Sequence, residues 1–233
     1  MRRAAGALEH LDRAVPPAAR DASLADIDRL NAWFGGYALT LRAIDRLVFR
    51  APPSRRWLVV DVGGGRGDFA RRLTEYARRR GRAVRVVVVD RDPDLLAVAR
   101  RAAPPNVSLV RADASALPFR ERGVDVLTMS LTLHHMEPDA AVASLGEMSS
   151  AARGAIIVND LWRNRLSLAL VWLATRVLRC HPISRHDGPL SVRRAYSPAE
   201  IRSLAEKAGL RPPRIRRHPL LGRLLAVIEV HQS

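Results

Sequence analysis

The stretch Val59-Val60-Asp61-Val62-Gly63-Gly64-Gly65-Arg66-Gly67 decides the fold of this 233-residue chain. Its apolar, β-branched beginning predicts a buried strand, and the glycines that follow predict a tight turn. Glycines let backbone N–H groups approach a ligand closely, so a strand that ends this way is a candidate ligand cradle. Asp61, which precedes the first glycine, would repel a pyrophosphate and attract an ammonium group.

Around this stretch, short apolar runs alternate with segments of helical spacing. We predict strands at 57–62, 84–89, 107–110, 124–130 and 155–158, and helices at 68–80, from Asp92-Pro93 onward and at 138–150. This alternation predicts an α/β fold with a doubly wound, mostly parallel sheet and helices on both faces. Two last strands, at 214–218 and 224–231, complete seven and predict an antiparallel hairpin. The helix before them begins with the capping box Ser197-Pro198-Ala199-Glu200.

The chain divides into four predicted parts: an N-terminal helical cover (1–50), a ligand-binding core (51–160), an insertion (161–196) and a C-terminal completion of the core (197–233). Within the cover, residues 1–20 predict a loosely held arm. Two helices follow, separated by Gly35-Gly36. Pro52-Pro53 marks the boundary between the cover and the core.

Two further acidic residues follow predicted strands. Asp90 ends the 84–89 strand, where a carboxylate can accept two hydrogen bonds from ribose hydroxyls. Asp113 follows the third strand and can accept from an adenine amino group, although alone it is more typical of a solvated loop. Because Asp61, Asp90 and Asp113 follow three successive strands, we predict that they share one ligand site.

These motifs resemble those of class I S-adenosylmethionine-dependent methyltransferases, whose D-x-G-x-G-x-G turn matches Asp61 to Gly67. The resemblance covers 57–160 strongly and 197–231 more loosely, and it implies a Rossmann-like sheet. It also implies that the turn holds the methionine end of the cofactor, Asp90 the ribose and Asp113 the adenine. The middle glycine, Gly64, departs from the Cys or Ser often found there. The predicted cofactor site is Asp61, Gly63, Gly65, Gly67, Asp90, Arg91, Asp113, Ala114 and Ser130.

Methyl transfer needs alignment and a deprotonated acceptor. His134 and His135 follow the fourth strand, at the edge where ligands bind, and either is a candidate base; a structural hydrogen bond is the alternative. Asp160, after the fifth strand, is predicted either to orient a histidine or to cap the next helix. The segment 125–135 resembles the UbiE-like subgroup that methylates quinones and natural products.

No metal is predicted. The metal-dependent catechol methyltransferases place an acid after the fourth strand and Asp-Asn after the fifth. This chain has Ser130 at the first place and the reversed order Asn159-Asp160 at the second.

The insertion carries an apolar stretch at 161–178 that predicts a lid over the substrate pocket. Flanking arginines also suit an interfacial helix on an anionic membrane. The polar, turn-rich 184–196 follows. We predict Trp162, His186 and Tyr196 as substrate contacts. The His186-Asp187-Gly188-Pro189 pattern loosely resembles a subgroup associated with aromatic polyketides.

The charge of +16 is almost all arginine, since Lys207 is the only lysine among 39 basic residues. Such a charge suggests nucleic acid or a membrane surface. Against nucleic acid, the chain lacks the Pro-Pro-aromatic motif of base N-methyltransferases, and aromatic residues are only 5%. The single Cys180 excludes an intrachain disulfide. No signal peptide or membrane span is apparent, which predicts a cytoplasmic location.

The sequence therefore predicts an S-adenosylmethionine-dependent enzyme that methylates a small hydrophobic acceptor. O-methylation of a phenolic or polyketide-type compound is the first hypothesis. C-methylation of a quinone-type ring and RNA methylation are the alternatives, together with a catalytically inactive cofactor-binding subunit, against which the intact acidic ligands argue.

Overall fold

The protein is described by a computed structural model that covers residues 1–47, 52 and 55–230. One sheet contains seven strands in the order β3-β2-β1-β4-β5-β7-β6. Their bounds are β1 Arg56–Val62, β2 Ala83–Asp90, β3 Val107–Arg111, β4 Val124–Ser130, β5 Ala152–Leu161, β6 Arg214–His218 and β7 Arg223–Glu229. Strands β1 to β5 pair in parallel, and β7 is antiparallel to both β5 and β6. The predicted seven-stranded α/β sheet is confirmed.

Eight α-helices flank the sheet within the described ranges. Their bounds are α1 Pro17–Trp33, α2 Gly36–Leu47, α3 Asp68–Arg79, α4 Pro93–Ala102, α5 Pro138–Ala151, α6 Arg165–Val177, α7 Pro182–Arg194 and α8 Pro198–Lys207. The predicted helix starts follow from local capping. Asp92 accepts from the backbone N–H groups of Asp94 and Leu95, and Ser197 and Glu200 form the expected capping box.

The apolar faces of the sheet hold two clusters of buried side chains. On one face, β1 and β4 pack against α5 and α8, with Leu127 and Met148 fully buried. On the other, β1 and β2 pack against α2 and α3, around Ile44 and Leu73. Burial on both faces explains why the central strands are apolar without alternation. The rigid sheet fixes the positions of the residues at its carboxyl edge.

Two local predictions are wrong. Residues 1–20 are not a loose arm: α1 already begins at Pro17, His10–Asp12 forms a 3-10 helix, and the Asp187 carboxylate accepts from the backbone N–H groups of His10 and Leu11. The supposedly turn-rich 184–196 lies mostly in α7, with Pro189 inside the helix. Tertiary packing overrides local propensity here, because the missing side chain of Gly188 lets α7 approach α6 closely.

Some predictions fall outside the described residues. These are the boundary between residues 50 and 51, the Pro53 part of the Pro52-Pro53 boundary, and the end of the last strand at His231. In the part of the chain that is described, no helix is both long and apolar enough to cross a bilayer.

Candidate active site

A cavity of about 680 Å³ opens at the carboxyl ends of β1, β2 and β4. The strand order reverses between β1 and β4, and ligands in such sheets bind at this reversal. The volume lies within the usual range for small-molecule sites. Of the predicted cofactor residues, those that line the cavity are Asp61, Gly63, Gly65, Asp90, Arg91, Asp113, Ala114 and Ser130. Gly67 does not line it; its φ of 71° instead places it as the N-cap of α3.

The glycine-rich turn has no room for side chains. Gly63 has a φ of 68°, and a Cβ atom there would collide with Thr132. At Gly64, a Cβ atom would lie 2.6 Å from Asp61 Oδ2. The sequence departs from the related pattern at Gly64, and the close approach of the Asp61 carboxylate explains why glycine fits this chain.

Two acidic residues have their orientation fixed by backbone N–H groups. Asp90 accepts from Gly65 N–H at 2.8 Å and from Asp92 N–H at 2.9 Å. Asp113 accepts from both the N–H and the hydroxyl of Ser115, and these hydrogen bonds lower the pKa of its carboxyl. Both carboxylates keep further lone pairs for a ligand.

Asp61 is a buried carboxyl, only 2% exposed. Burial raises its pKa to about 7, the hydroxyl of Thr128 at 2.9 Å opposes this rise, and Asp90 adds to it. A cationic group beside Asp61 would stabilise the charged carboxylate. Three carboxylates in one cavity, one of them poorly solvated, fit a ligand that carries a positive charge and several hydroxyl or amino donors.

A buried histidine–carboxylate pair lies beside these residues. The ring Nδ1 of His134 is 2.7 Å from Asp160 Oδ1, and the His134 backbone N–H donates to Oδ2 at 3.0 Å. Burial raises the pKa of Asp160, but His134 and these hydrogen bonds outweigh that effect and hold the pKa below its usual value. An ionised carboxylate only accepts, so His134 Nδ1 carries the proton and Nε2 is the basic nitrogen. His134 lines the cavity, and Asp160 lies behind it.

Asp160 does not cap the helix that follows it. It lies within β5, and α6 begins at Arg165 with Asn164 as its N-cap, whose side chain accepts from Ser167 N–H. The capping alternative is therefore wrong.

The N-terminal segment brings to this pair an acidic group that the sequence does not predict. Glu9 is 3% exposed, and its Oε1 lies 3.8 Å from His134 Nε2. Burial raises the pKa of Glu9, while His135 and Arg194 oppose the rise. Arg194 reaches Glu9 at 3.3 Å and also donates to Asp12, which lies 3.1 Å from His135 Nδ1. Glu9 and Asp12 form a local capping box, but no local pattern places Glu9 beside His134 and Arg194, which are far away in the chain.

The three predicted substrate contacts do not line the cavity, which corrects that prediction. Trp162 packs against the core under Arg217. The hydroxyl of Tyr196 donates to Met136 O at 2.8 Å. His186 lies at the surface beside His10 and Asp187.

Aliphatic and aromatic side chains from other elements line the second half of the cavity instead. They include Leu24, Ile27, Leu30, Phe34, Leu170 and Val171. Helices α1 and α6 thus contribute apolar side chains to the cavity that the three carboxylates also line. The cover and the lid stay predictions.

The His134, His135 and Glu9 ligand atoms lie within 4.8 Å of one another, close enough to share a metal ion. The guanidinium of Arg194 beside Glu9 opposes a cation there. The absence of a metal stays a prediction.

Comparison with known proteins agrees with this geometry. Residues 59–154 match the family model described as a methyltransferase domain. The chain is 32% identical over 99 residues to the ubiquinone/menaquinone biosynthesis C-methyltransferase UbiE of Brucella anthropi, a match that covers 40% of this chain and 36% of that protein. The matched part thus spans about a third of the length of the curated relatives.

Solved structures share the fold. A SAM-dependent methyltransferase from Aquifex aeolicus aligns with a TM-score of 0.56 at 20% identity, covering 75% of this chain and 82% of that one. The mitomycin 7-O-methyltransferase MmcR aligns with a TM-score of 0.56 at 20% identity, covering 75% and 49%. Sheet, cavity and family match together define a class I S-adenosylmethionine-dependent methyltransferase domain. These matches confirm the resemblance to class I methyltransferases of the UbiE-like kind that is seen in the sequence, and each of the two sequence matches covers less than half of the chain.

Proposed function

We propose that this protein transfers the methyl group of S-adenosylmethionine to a hydroxyl of a small hydrophobic acceptor of phenolic or polyketide type. One observation carries the proposal: His134, whose ring is 2.7 Å from the buried Asp160, lines the same cavity as the three acidic residues and the apolar side chains of α1 and α6. In this proposal the base, the cofactor and the acceptor therefore share one cavity.

The carboxylate-lined half suits the cofactor. When bound, S-adenosylmethionine supplies a methyl group activated by its sulfonium. In our proposal Asp61 pairs with the ammonium group, Asp90 accepts from the ribose hydroxyls, and Asp113 accepts from the adenine amino group. The support is their common cavity and the backbone hydrogen bonds that orient Asp90 and Asp113.

The acceptor's proton goes to His134 in this proposal. A phenol has a pKa of about 10, so few molecules are ionised at neutral pH without a base. Asp160 holds the His134 Nδ1–H, which leaves Nε2 to accept the hydroxyl proton. Asp160 then stabilises the imidazolium. His135 is the second candidate base, because it also lines the cavity and contacts Asp12.

C-methylation of a quinone-type ring is the second candidate function, and the match to the Brucella protein favours it. The same histidine would take the proton of a hydroxyl on the reduced, quinol form of the ring, and the ring carbon of the resulting anion would attack the methyl group. An RNA acceptor has less support, because aliphatic side chains dominate the acceptor half.

The test is incubation of the protein with isotope-labelled S-adenosylmethionine and three acceptor classes, phenols, quinones and tRNA, followed by mass spectrometry. We expect label on the oxygen of a phenol. Label on a ring carbon would establish the second candidate, and label on tRNA alone would contradict both. Asp160→Asn should lose turnover, and Asp139→Asn, the same change at an exposed position on α5, is the matched control.

A further inference from the structure

Three side chains that the proposed mechanism does not use form a cluster where the N-terminal segment meets α7. His10 belongs to the N-terminal segment, and His186 and Asp187 belong to α7. His10 Nδ1 lies 2.9 Å from His186 Nδ1 and 3.1 Å from Asp187 Oδ1, and His186 Nδ1 lies 2.8 Å from the same oxygen. None of these three residues lines the cavity, so the cluster is separate from the proposed active site.

Hydrogen bonds alone cannot satisfy the three short contacts of this cluster. A neutral imidazole carries at most one proton on Nδ1, and an ionised carboxylate only accepts. If both rings donate to Asp187, two N–H groups face each other at 2.9 Å. If one ring donates to the other, the accepting ring turns a lone pair toward the carboxylate. A cation beside all three atoms removes the conflict, because both nitrogens then present lone pairs and the rings keep their protons on Nε2.

The spacing of the three atoms fits one transition-metal ion. Zn²⁺ binds histidine nitrogen and aspartate oxygen at about 2.0 to 2.2 Å, so its ligand atoms lie about 2.9 Å apart at right angles and about 3.4 Å apart at the tetrahedral angle. The three separations of 2.8, 2.9 and 3.1 Å lie at the short end of that range. Imidazole nitrogen suits zinc and its neighbours, whereas Mg²⁺ and Ca²⁺ prefer oxygen ligands.

The carboxylate of this cluster is fixed in place before any ion binds. Asp187 is 4% exposed, its Oδ1 accepts from His10 N–H, and its Oδ2 accepts from Leu11 N–H. No arginine pairs with Asp187 among the residues described, whereas Arg194 pairs with Glu9 in the cluster beside the cavity. The two histidine side chains are 48% and 54% exposed, so an ion from solvent can reach them.

We propose that His10, His186 and Asp187 bind a divalent transition-metal ion, with Zn²⁺ as the representative, and that this ion fastens the N-terminal segment to α7. The consequence for the active site is indirect. Glu9 precedes His10 and lies 3.8 Å from His134, so an ion that holds His10 also holds Glu9 at the cavity. Binding of the ion does not rest on the proposed function.

Calorimetry with zinc chloride tests the site, with the full chain first freed of metal by a chelator. We expect one ion per chain and binding at least about tenfold weaker in His186→Ala, which removes a ligand. His218→Ala is the matched control, because His218 lies on β6 outside the cluster, and it should bind zinc like the wild type. Equal affinity in His186→Ala and wild type would overturn the proposal. A loss in His135→Ala without one in His186→Ala would assign the ion to the cluster beside the cavity and overturn it too.

X-ray absorption at the zinc edge of the wild-type complex gives a readout that needs no variant. We expect two imidazole ligands together with oxygen ligands. A spectrum with one imidazole or none would contradict the assignment.

Hydrogen exchange tests whether the ion fastens the N-terminal segment. The backbone N–H groups of His10 and Leu11 both donate to Asp187, so their exchange reports release of the segment from α7. Zinc at about a hundred times its Kd should slow the exchange of both amides by up to about a hundredfold in the wild type, and should leave His186→Ala unchanged. Zinc binding without any slowing of these two amides would overturn the fastening.

Discussion

Asp61→Asn offers a sharp test of the cofactor site because the change affects stability and binding in opposite directions. Burial raises the pKa of Asp61 from 3.8 to about 7, with the hydrogen bond from Thr128 opposing the rise. At a pH between 3.8 and about 7, Asp61 is protonated in the folded protein and ionised in the unfolded chain. The stability that this group contributes therefore falls as the pH rises through that window.

The size of the effect follows from the shift. About three pKa units, at 1.36 kcal/mol each, correspond to about 4 kcal/mol of unfavourable ionisation at about pH 8. Asparagine resembles the neutral acid and still accepts from Thr128. We expect Asp61→Asn to raise the free energy of unfolding of the cofactor-free protein by up to about 4 kcal/mol at about pH 8, and by far less at about pH 4.

Urea unfolding at several pH values measures this difference. Calorimetry with S-adenosylmethionine in two buffers of different ionisation enthalpy gives the second readout. When the cofactor binds to the wild-type protein, its ammonium group should lower the pKa of Asp61, so that a proton is released. The Asp61→Asn variant should bind the cofactor more weakly and should not release this proton. Asp113→Asn is the control, because that carboxyl has a lowered pKa and its replacement should not stabilise the protein. If Asp61→Asn is no more stable than the wild type at about pH 8 and still releases a proton on cofactor binding, Asp61 is not the buried, proton-holding carboxyl described above.

Three further predictions concern other parts of the molecule. Asp90→Ala should weaken S-adenosylmethionine binding at least about tenfold, because it removes the carboxylate assigned to the ribose hydroxyls. Calorimetry measures this affinity, and an unchanged affinity would reject the assignment. Asp160→Asn should lower kcat by about 10²- to 10⁴-fold with little change in the acceptor KM, because the wrong His134 tautomer would face the acceptor; an unaltered pH–rate profile would argue against this. Ser197→Ala should destabilise the protein by about 1 kcal/mol through loss of the α8 capping box, measured by urea unfolding, and an unchanged midpoint would contradict it.

Features that depend on local sequence or on strand order could be predicted. The apolar strand before Gly63 and the capping residues Asp92 and Ser197 act over a few positions, so their effect is visible in the sequence. Asp61, Asp90 and Asp113 follow parallel strands, whose carboxyl ends share one edge, and topology alone brings them to one cavity.

Features that depend on distant contacts could not be predicted. Glu9 lies beside His134 and His135 because Arg194, 185 positions away, pairs with its carboxylate and Asp12 accepts from its backbone N–H. Trp162 and Tyr196 were expected at the substrate, but packing directs one against the core and the other toward Met136. A propensity or a spacing contains no information about such directions.

The central claim is that His134 takes the proton of a hydroxyl acceptor during methyl transfer. Its most direct test measures kcat for wild type and His134→Ala on a series of phenols of increasing acidity. We predict that the variant loses about 10²- to 10⁴-fold on an ordinary phenol and recovers most of that loss on a phenol acidified by electron-withdrawing groups, which is already ionised and needs no base. An equal loss on every phenol, or no loss on any, would contradict the claim.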